Sequence, residues 1–238
     1  MGKGEDARRH FDTIAEMYKE EIPDHIRDHL SQKWWGLVEQ YFHGQPRVID
    51  IGCGDGTNMM FLRRKGISVV GIELSANMVR RGKERYPELE DSIFEGSGLN
   101  VRFADQTFDV ALMTGVLHHI YSRDDQMKAV REALRVVTRD GVLIIRESNL
   151  INPLFRIFWN YIFPLTAKID RFGGEHWIPA KRLLKEFGLA VEETIFFTFI
   201  PNFLPSVILP LASRMEEALE RSILKELSAH YLMVIRKV

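Results

Sequence analysis

The chain has 238 residues, 45% hydrophobic and 27% charged, the balance of a folded globular protein and not of a disordered one. Its 32 basic and 33 acidic residues leave a net charge of −1, so no broad field draws nucleic acid and no nucleic-acid partner is expected. With Cys53 as the single cysteine an internal disulfide is excluded, and a reducing compartment is expected. Residues 5–42 carry helical periodicity with a break near Pro23: first Phe11, Ile14, Ala15 and Tyr18, then Ile26, Leu30, Trp34, Leu37, Val38 and Tyr41. This opening lacks the apolar stretch of a signal peptide, which predicts a cytoplasmic protein. Beyond Pro46, short apolar strands at 48–51, 68–72, 92–94, 108–113 and 142–146 alternate with helices at 57–65, 75–84 and 124–137. After Glu147 the alternation lapses into a helix at 179–187, a strand at 189–196, a helix at 214–227 and a last strand at 230–236. Residues 151–165 and 195–212 are the most apolar stretches. The first is interrupted by Asn152, Arg156 and Asn160 and the second by Pro201, Pro205 and Pro210, so neither is expected to span a membrane.

Strands alternating with helices imply βαβ units. The expected fold is α/β, a Rossmann-like doubly wound, seven-stranded, mostly parallel sheet. N-terminal helices precede it, and helical inserts follow strand five and precede the last strand. The strongest local signal is Val48-Ile49-Asp50-Ile51-Gly52-Cys53-Gly54-Asp55-Gly56-Thr57, an apolar strand running into a Gly-x-Gly-x-Gly turn that opens a helix. Glycine there lets a ligand approach the backbone. The next strand ends in Glu73, 23 residues beyond Asp50. An acid at that tip accepts hydrogen bonds from the hydroxyls of an adenosine ribose. In a dinucleotide loop the third glycine falls one residue later and a pyrophosphate rests on the helix N-terminus. Here Asp50 and Asp55 flank the loop. Carboxylates oppose a pyrophosphate and favour the ammonium and sulfonium of S-adenosylmethionine (SAM).

With these residues in place, the chain resembles class I SAM-dependent methyltransferases. It looks closest to the branch holding ubiquinone and menaquinone biosynthesis C-methyltransferases and many small-molecule methyltransferases. The match rests on Val48–Gly56, Gly71-Ile72-Glu73-Leu74-Ser75, Phe108-Asp109-Val110, Gly115-Val116-Leu117-His118-His119-Ile120 and Arg139-Asp140-Gly141-Val142-Leu143, which together span about residues 46–147. The resemblance implies SAM as cofactor and S-adenosylhomocysteine as product. Gly52 and Gly54 would lie against the cofactor, Asp50 would orient its amino-acid end, and Glu73 with Leu74 would flank the ribose. The carbonyl of Thr114 or Gly115 would face the ammonium, and Tyr18 would be a lid tyrosine. The family's acid near the adenine is replaced by Ser97, followed by Gly98, with Glu95 as the alternative acceptor. The layout implied is one domain, with residues 1–44 as helical lid, 45–149 as SAM-binding core and 150–238 as acceptor side.

His118 and His119, after strand four, are candidate general bases, against a reading in which one packs and the other is solvated. Glu147, Asn149, Glu175 and His176 are candidate acceptor contacts, since open α/β sheets bind ligands beyond the carboxyl ends of their strands. No metal constellation emerges: His25 and His29 lack the Glu of a His-Glu-x-x-His site and read as exposed or lid-facing. The apolar inserts leave three readings open: a pocket for a hydrophobic, lipid-like acceptor, a peripheral membrane contact, or packing within the chain or across a homodimer. The activity expected is methyl transfer to a small hydrophobic or amphipathic acceptor. An NAD-dependent oxidoreductase and a SAM-binding interaction module without activity are the alternatives.

Overall fold

A computed structural model describes residues 9, 12, 13, 23–149, 152–157, 161, 178–187, 191–201 and 203–237. Seven strands form one sheet: β1 (Val48–Ile51), β2 (Val69–Glu73), β3 (Ile93–Glu95), β4 (Phe108–Thr114), β5 (Val137–Ser148), β6 (Val191–Phe197) and β7 (His230–Arg236). Their order is β3-β2-β1-β4-β5-β7-β6. All neighbours are parallel except β7, which runs antiparallel to both β5 and β6. The chain steps outward from β1 to β3 and then returns to place β4 on β1's other side. That reversal opens a crevice at the carboxyl ends of β1 and β4.

Every residue of β1 is buried, as expected of a parallel strand covered on both faces. One face packs on helix α4 (Arg123–Val136) through Ala129, Val130, Ala133 and Val136. Helix α6 (Ala180–Phe187) adds Leu183 to that side. The other face is covered by α1 (Asp24–Val38) through Trp34 and Val38 and by α2 (Thr57–Arg64) through Met59, Met60 and Leu62. Helix α3 (Ala76–Arg85) follows β2 and is N-capped by Ser75, whose hydroxyl accepts from the Met78 amide. A short helix α5 (Pro153–Ile157) leaves Ile157 exposed.

Three differences from the sequence reading have local causes. Strand β5 starts five residues before Val142, because the chain leaving α4 enters the sheet directly and turns at Asp140, whose φ is 64°. Helix α7 (Leu209–Glu220) starts before Arg214 because Pro210 lies in its first turn, where its missing N–H is no loss. It also stops early: Ser222 caps a separate 3-10 turn, Ile223–Leu227, by accepting from the Leu224 amide. Among the described residues no helix is long and apolar enough to cross a membrane.

The second apolar insert has two fates. Leu204, Leu209 and Ala212 pack on Ile26 and Leu30 of α1 together with Ile200. Val207, Leu211 and Met215, spaced four apart, face outward and are 84%, 62% and 60% exposed. Most of the first insert, with Tyr18 and His176, lies outside the described residues.

A buried acid joins α1 to α7. Glu216 is 1% exposed and accepts from His29 Nε2 at 2.9 Å, Lys33 Nζ at 2.5 Å and the Phe199 and Ile200 amides at 2.6 and 3.1 Å. His29 is therefore an ion-pair partner and not simply exposed, while His25 contacts the Leu204 carbonyl at 2.8 Å. Burial pushes the Glu216 carboxyl up, but hydrogen bonds from His29 and Lys33 outweigh it and hold it at about 2, below the ordinary 4.5. A depressed folded-state value stabilises above pH 4.5, and this contribution is lost as pH falls towards 2. Glu216→Gln is expected to cost about 3 kcal/mol near neutral pH. Thermal melts from neutral to acid pH should show the gap from wild type closing below about pH 4.

Candidate active site

The glycine loop is fastened before any ligand arrives. The Gly52 and Cys53 amides both donate to the Ile72 carbonyl of β2, at 2.8 and 3.1 Å. Gly52 has φ 77°, and a Cβ there would sit 2.6 Å from Val116 Cγ2, so only glycine lets the loops after β1 and β4 meet. Gly54, φ 58°, faces more open space, with Met78 Cε 3.6 Å from where its Cβ would be. The Gly54 amide donates to Glu73 Oε2 at 3.0 Å and the Ser75 amide to Glu73 Oε1 at 2.9 Å. With Leu74 as a third backbone donor, the carboxylate still has acceptor capacity left for a ribose hydroxyl.

Asp50 has a different environment. It is 1% exposed, and its Oδ2 has no hydrogen-bond partner among the described residues. Burial, and then the nearby Glu73 charge, push its carboxyl up from 3.8 to about 7. Burial also raises Glu73, against the opposing pull of its backbone donors. A cationic ligand group would relieve both. The orphaned acceptor and the paired acids thus fit the ammonium and ribose of SAM and oppose a pyrophosphate. Asp55 does not share in this. Its carboxylate accepts from Arg85 Nη1 at 2.6 Å and from Thr57 Oγ1 at 2.7 Å, so its charge is met inside the protein.

Beyond β4 the loop is organised by Glu147 of β5, 2% exposed. Its Oε1 accepts from the Val116 and Leu117 amides at 3.0 and 2.7 Å, and its Oε2 lies 2.6 Å from His118 Nδ1. His119 stacks on His118 with ring centroids 3.9 Å apart. Thr114 ends β4 opposite Arg146, and the Gly115 amide donates to the Arg146 carbonyl at 2.9 Å. Two sequence candidates for acceptor contact are instead internal braces. Glu147 spends its carboxylate on the loop, and Asn149, fully buried, donates its amide to the Glu226 and Ser228 carbonyls at 2.8 and 3.0 Å. Ser97 Oγ accepts from the Leu99 amide at 3.2 Å, and Gly98 packs near Ile51 Cγ2. Leu74 is half-buried directly after Glu73. Asp109 is at the opposite end of β4 and is held by Arg47.

Asp12 was not singled out from the sequence as a site residue. Its Oδ1 accepts from Ser75 Oγ at 2.5 Å and its carbonyl from Asn77 Nδ2 at 3.0 Å, which pins Asp12 over the turn after Glu73.

A glycine loop, two buried acids and a braced loop thus meet at the switch point of the β3-β2-β1-β4-β5-β7-β6 sheet, an arrangement that fits a nucleoside sulfonium. The methyltransferase domain family model matches residues 49–145. A demethylmenaquinone methyltransferase of Paenarthrobacter aurescens is 31% identical over 155 residues, which cover 61% of this chain and 59% of that protein. The chain thus matches under two thirds of that relative's length. A second, from Corynebacterium kroppenstedtii, is 29% identical over 183 residues, covering 74% of this chain and 76% of its own. In fold, the chain is similar to the geranyl diphosphate C-methyltransferase of Streptomyces coelicolor, with TM-score 0.64, 16% identity and coverage of 100% and 99%. Residues 49–145 thus carry a methyltransferase domain, and SAM is the cofactor that such a domain implies. This sets aside the nicotinamide reading.

A raised folded-state pKa makes ionised Asp50 a burden on the ligand-free fold, growing as pH rises from 3.8 and complete above about 7. Asp50→Asn without ligand is therefore expected to melt above wild type near pH 8, by about 2–4 kcal/mol, with no gain near pH 4. The same variant should lose affinity for S-adenosylhomocysteine in calorimetric titration.

Proposed function

We propose that the protein transfers the methyl group of SAM to a small, apolar, quinone-like acceptor, with His118 as general base. The buried Asp50–Glu73 pair around the glycine loop carries the cofactor half of this reading. The demethylmenaquinone methyltransferases among the relatives support the acceptor class.

SAM supplies an electrophilic methyl group on a sulfonium. Asp50 and Glu73 would orient its two polar ends, and the segment before α1 that carries Asp12 and Tyr18 would close over it as a lid. Exclusion of water then favours an in-line approach of the acceptor. The Glu147 carboxylate accepts the Nδ1 proton of His118, which leaves the basic lone pair on Nε2 to take a proton from an acceptor hydroxyl. Glu147 therefore positions the base as it braces the loop. The outward stripe of Val207, Leu211 and Met215 supports contact with the lipid surface from which an amphipathic acceptor would come.

Titration with S-adenosylhomocysteine should give micromolar binding that Glu73→Ala abolishes, with none for NADH. Absence of thioether binding would refute the reading. With labelled SAM and a panel of benzo- and naphthohydroquinones, His118→Asn should lower kcat by about 100-fold. Its thioether affinity should stay within about twofold of wild type. Tight thioether binding with no label transferred to any acceptor would instead mark a non-catalytic SAM-binding module.

A further inference from the structure

Arg146 precedes Glu147 on β5, so its side chain leaves the opposite face of the sheet. Its strand partners are Thr114 on β4 and Leu232 on β7, which puts it at the carboxyl edge where such sheets bind ligands. Its guanidinium carbon lies 5.8 Å from the centre of the Phe197 ring. Burial pulls its pKa from 12.5 down to about 10, and the only charge favouring the cation is the neighbouring Glu147. That acid is taken by two amides and His118 on the other face.

Among the described residues no other acid near it is spare. Glu216 is matched by His29, Lys33 and two backbone amides. His230 contacts Thr198 Oγ1 through Nδ1 at 2.6 Å, and burial, then Arg146, hold its pKa at about 3, so it is neutral. Among the described residues Arg146 has neither a salt bridge nor a hydrogen-bond acceptor for its five N–H donors. A half-buried guanidinium without an anion is poised to take one. Its planar fork suits a resonance-stabilised oxyanion.

We propose that Arg146 binds an acidic oxygen, phenolate or carboxylate, carried on the planar ring of the methyl acceptor. This rests on the methyltransferase reading and narrows its acceptor to one that ionises. Held as a phenolate, such a ring is richer in electrons at the carbons ortho and para to the oxygen, and an always-charged arginine keeps it so across the working pH range.

The test uses the full chain at about pH 8.5, wild type with Arg146→Met and Arg146→Lys, titrated with 2-naphthol, 2-naphthoate and uncharged 2-methylnaphthalene. Each titration is run with and without S-adenosylhomocysteine. Wild type should bind one oxyanion probe at least about tenfold tighter than 2-methylnaphthalene. Arg146→Met should lose that preference, Arg146→Lys keep part of it, and all three should bind the thioether alike. Which probe is preferred separates phenolate from carboxylate. Arg146→Met should also melt above wild type without ligand, because an unmet charge has been replaced by a side chain of similar length. No oxyanion preference in wild type, preference retained in Arg146→Met, or a lower melting point for Arg146→Met would each overturn the proposal. Failure of the wild type to bind the thioether would count against the cofactor assignment and leaves the Arg146 comparison readable from the titrations without it.

Discussion

Two carboxylates in a dry pocket set the terms for the rest of this structure. Burial raises the cost of ionising both, the Glu73 charge adds to that of Asp50, and no lysine or arginine figures among the groups that set their pKa values. The fold can hold such a pair because the surrounding backbone is already committed. β1 is buried on both faces, and the loop after it hangs from the Ile72 carbonyl. Asp55, one turn away, shows the contrast: its charge is met by Arg85 and it serves the turn alone. Free energy withheld at Asp50 and Glu73 in the ligand-free protein is regained on binding, so cofactor and stability are linked.

Strand β5 has the complementary arrangement on adjacent residues. Glu147 and Arg146 point to opposite faces because side chains alternate along β5. The acid is fully occupied in holding the loop that carries His118. Among the described residues the arginine has a ring contact with Phe197 but no ion pair. A single strand end thus separates a group that shapes the protein from one that awaits a ligand.

The core was legible in the sequence where its causes are local. The strand at 48–51, the glycine turn, the acid at 73 and the last strand at 230–236 each follow from a few consecutive residues, and the structure has them at those places. Features that depend on distant backbone were not legible. Nothing near Glu147 or Asn149 announces that their partners are an imidazole, amides and carbonyls 29 to 79 positions away in the chain. Asp12 shows its role only once α3 brings Asn77 beside it. Arg146 looked ordinary because its distinction is the lack of an acid nearby in space. Pro210, read as a breaker, lies in a first turn.

The ion pairs from Lys33 to Glu216 and Glu220 tie α1 to α7. Inheritance feels that tie as well. A drift in one helix exposes or strands charge in the other, so the two are expected to change together between related lineages. Anyone grafting a new acceptor region onto this scaffold would have to move both helices as one cassette, though they lie far apart in the gene.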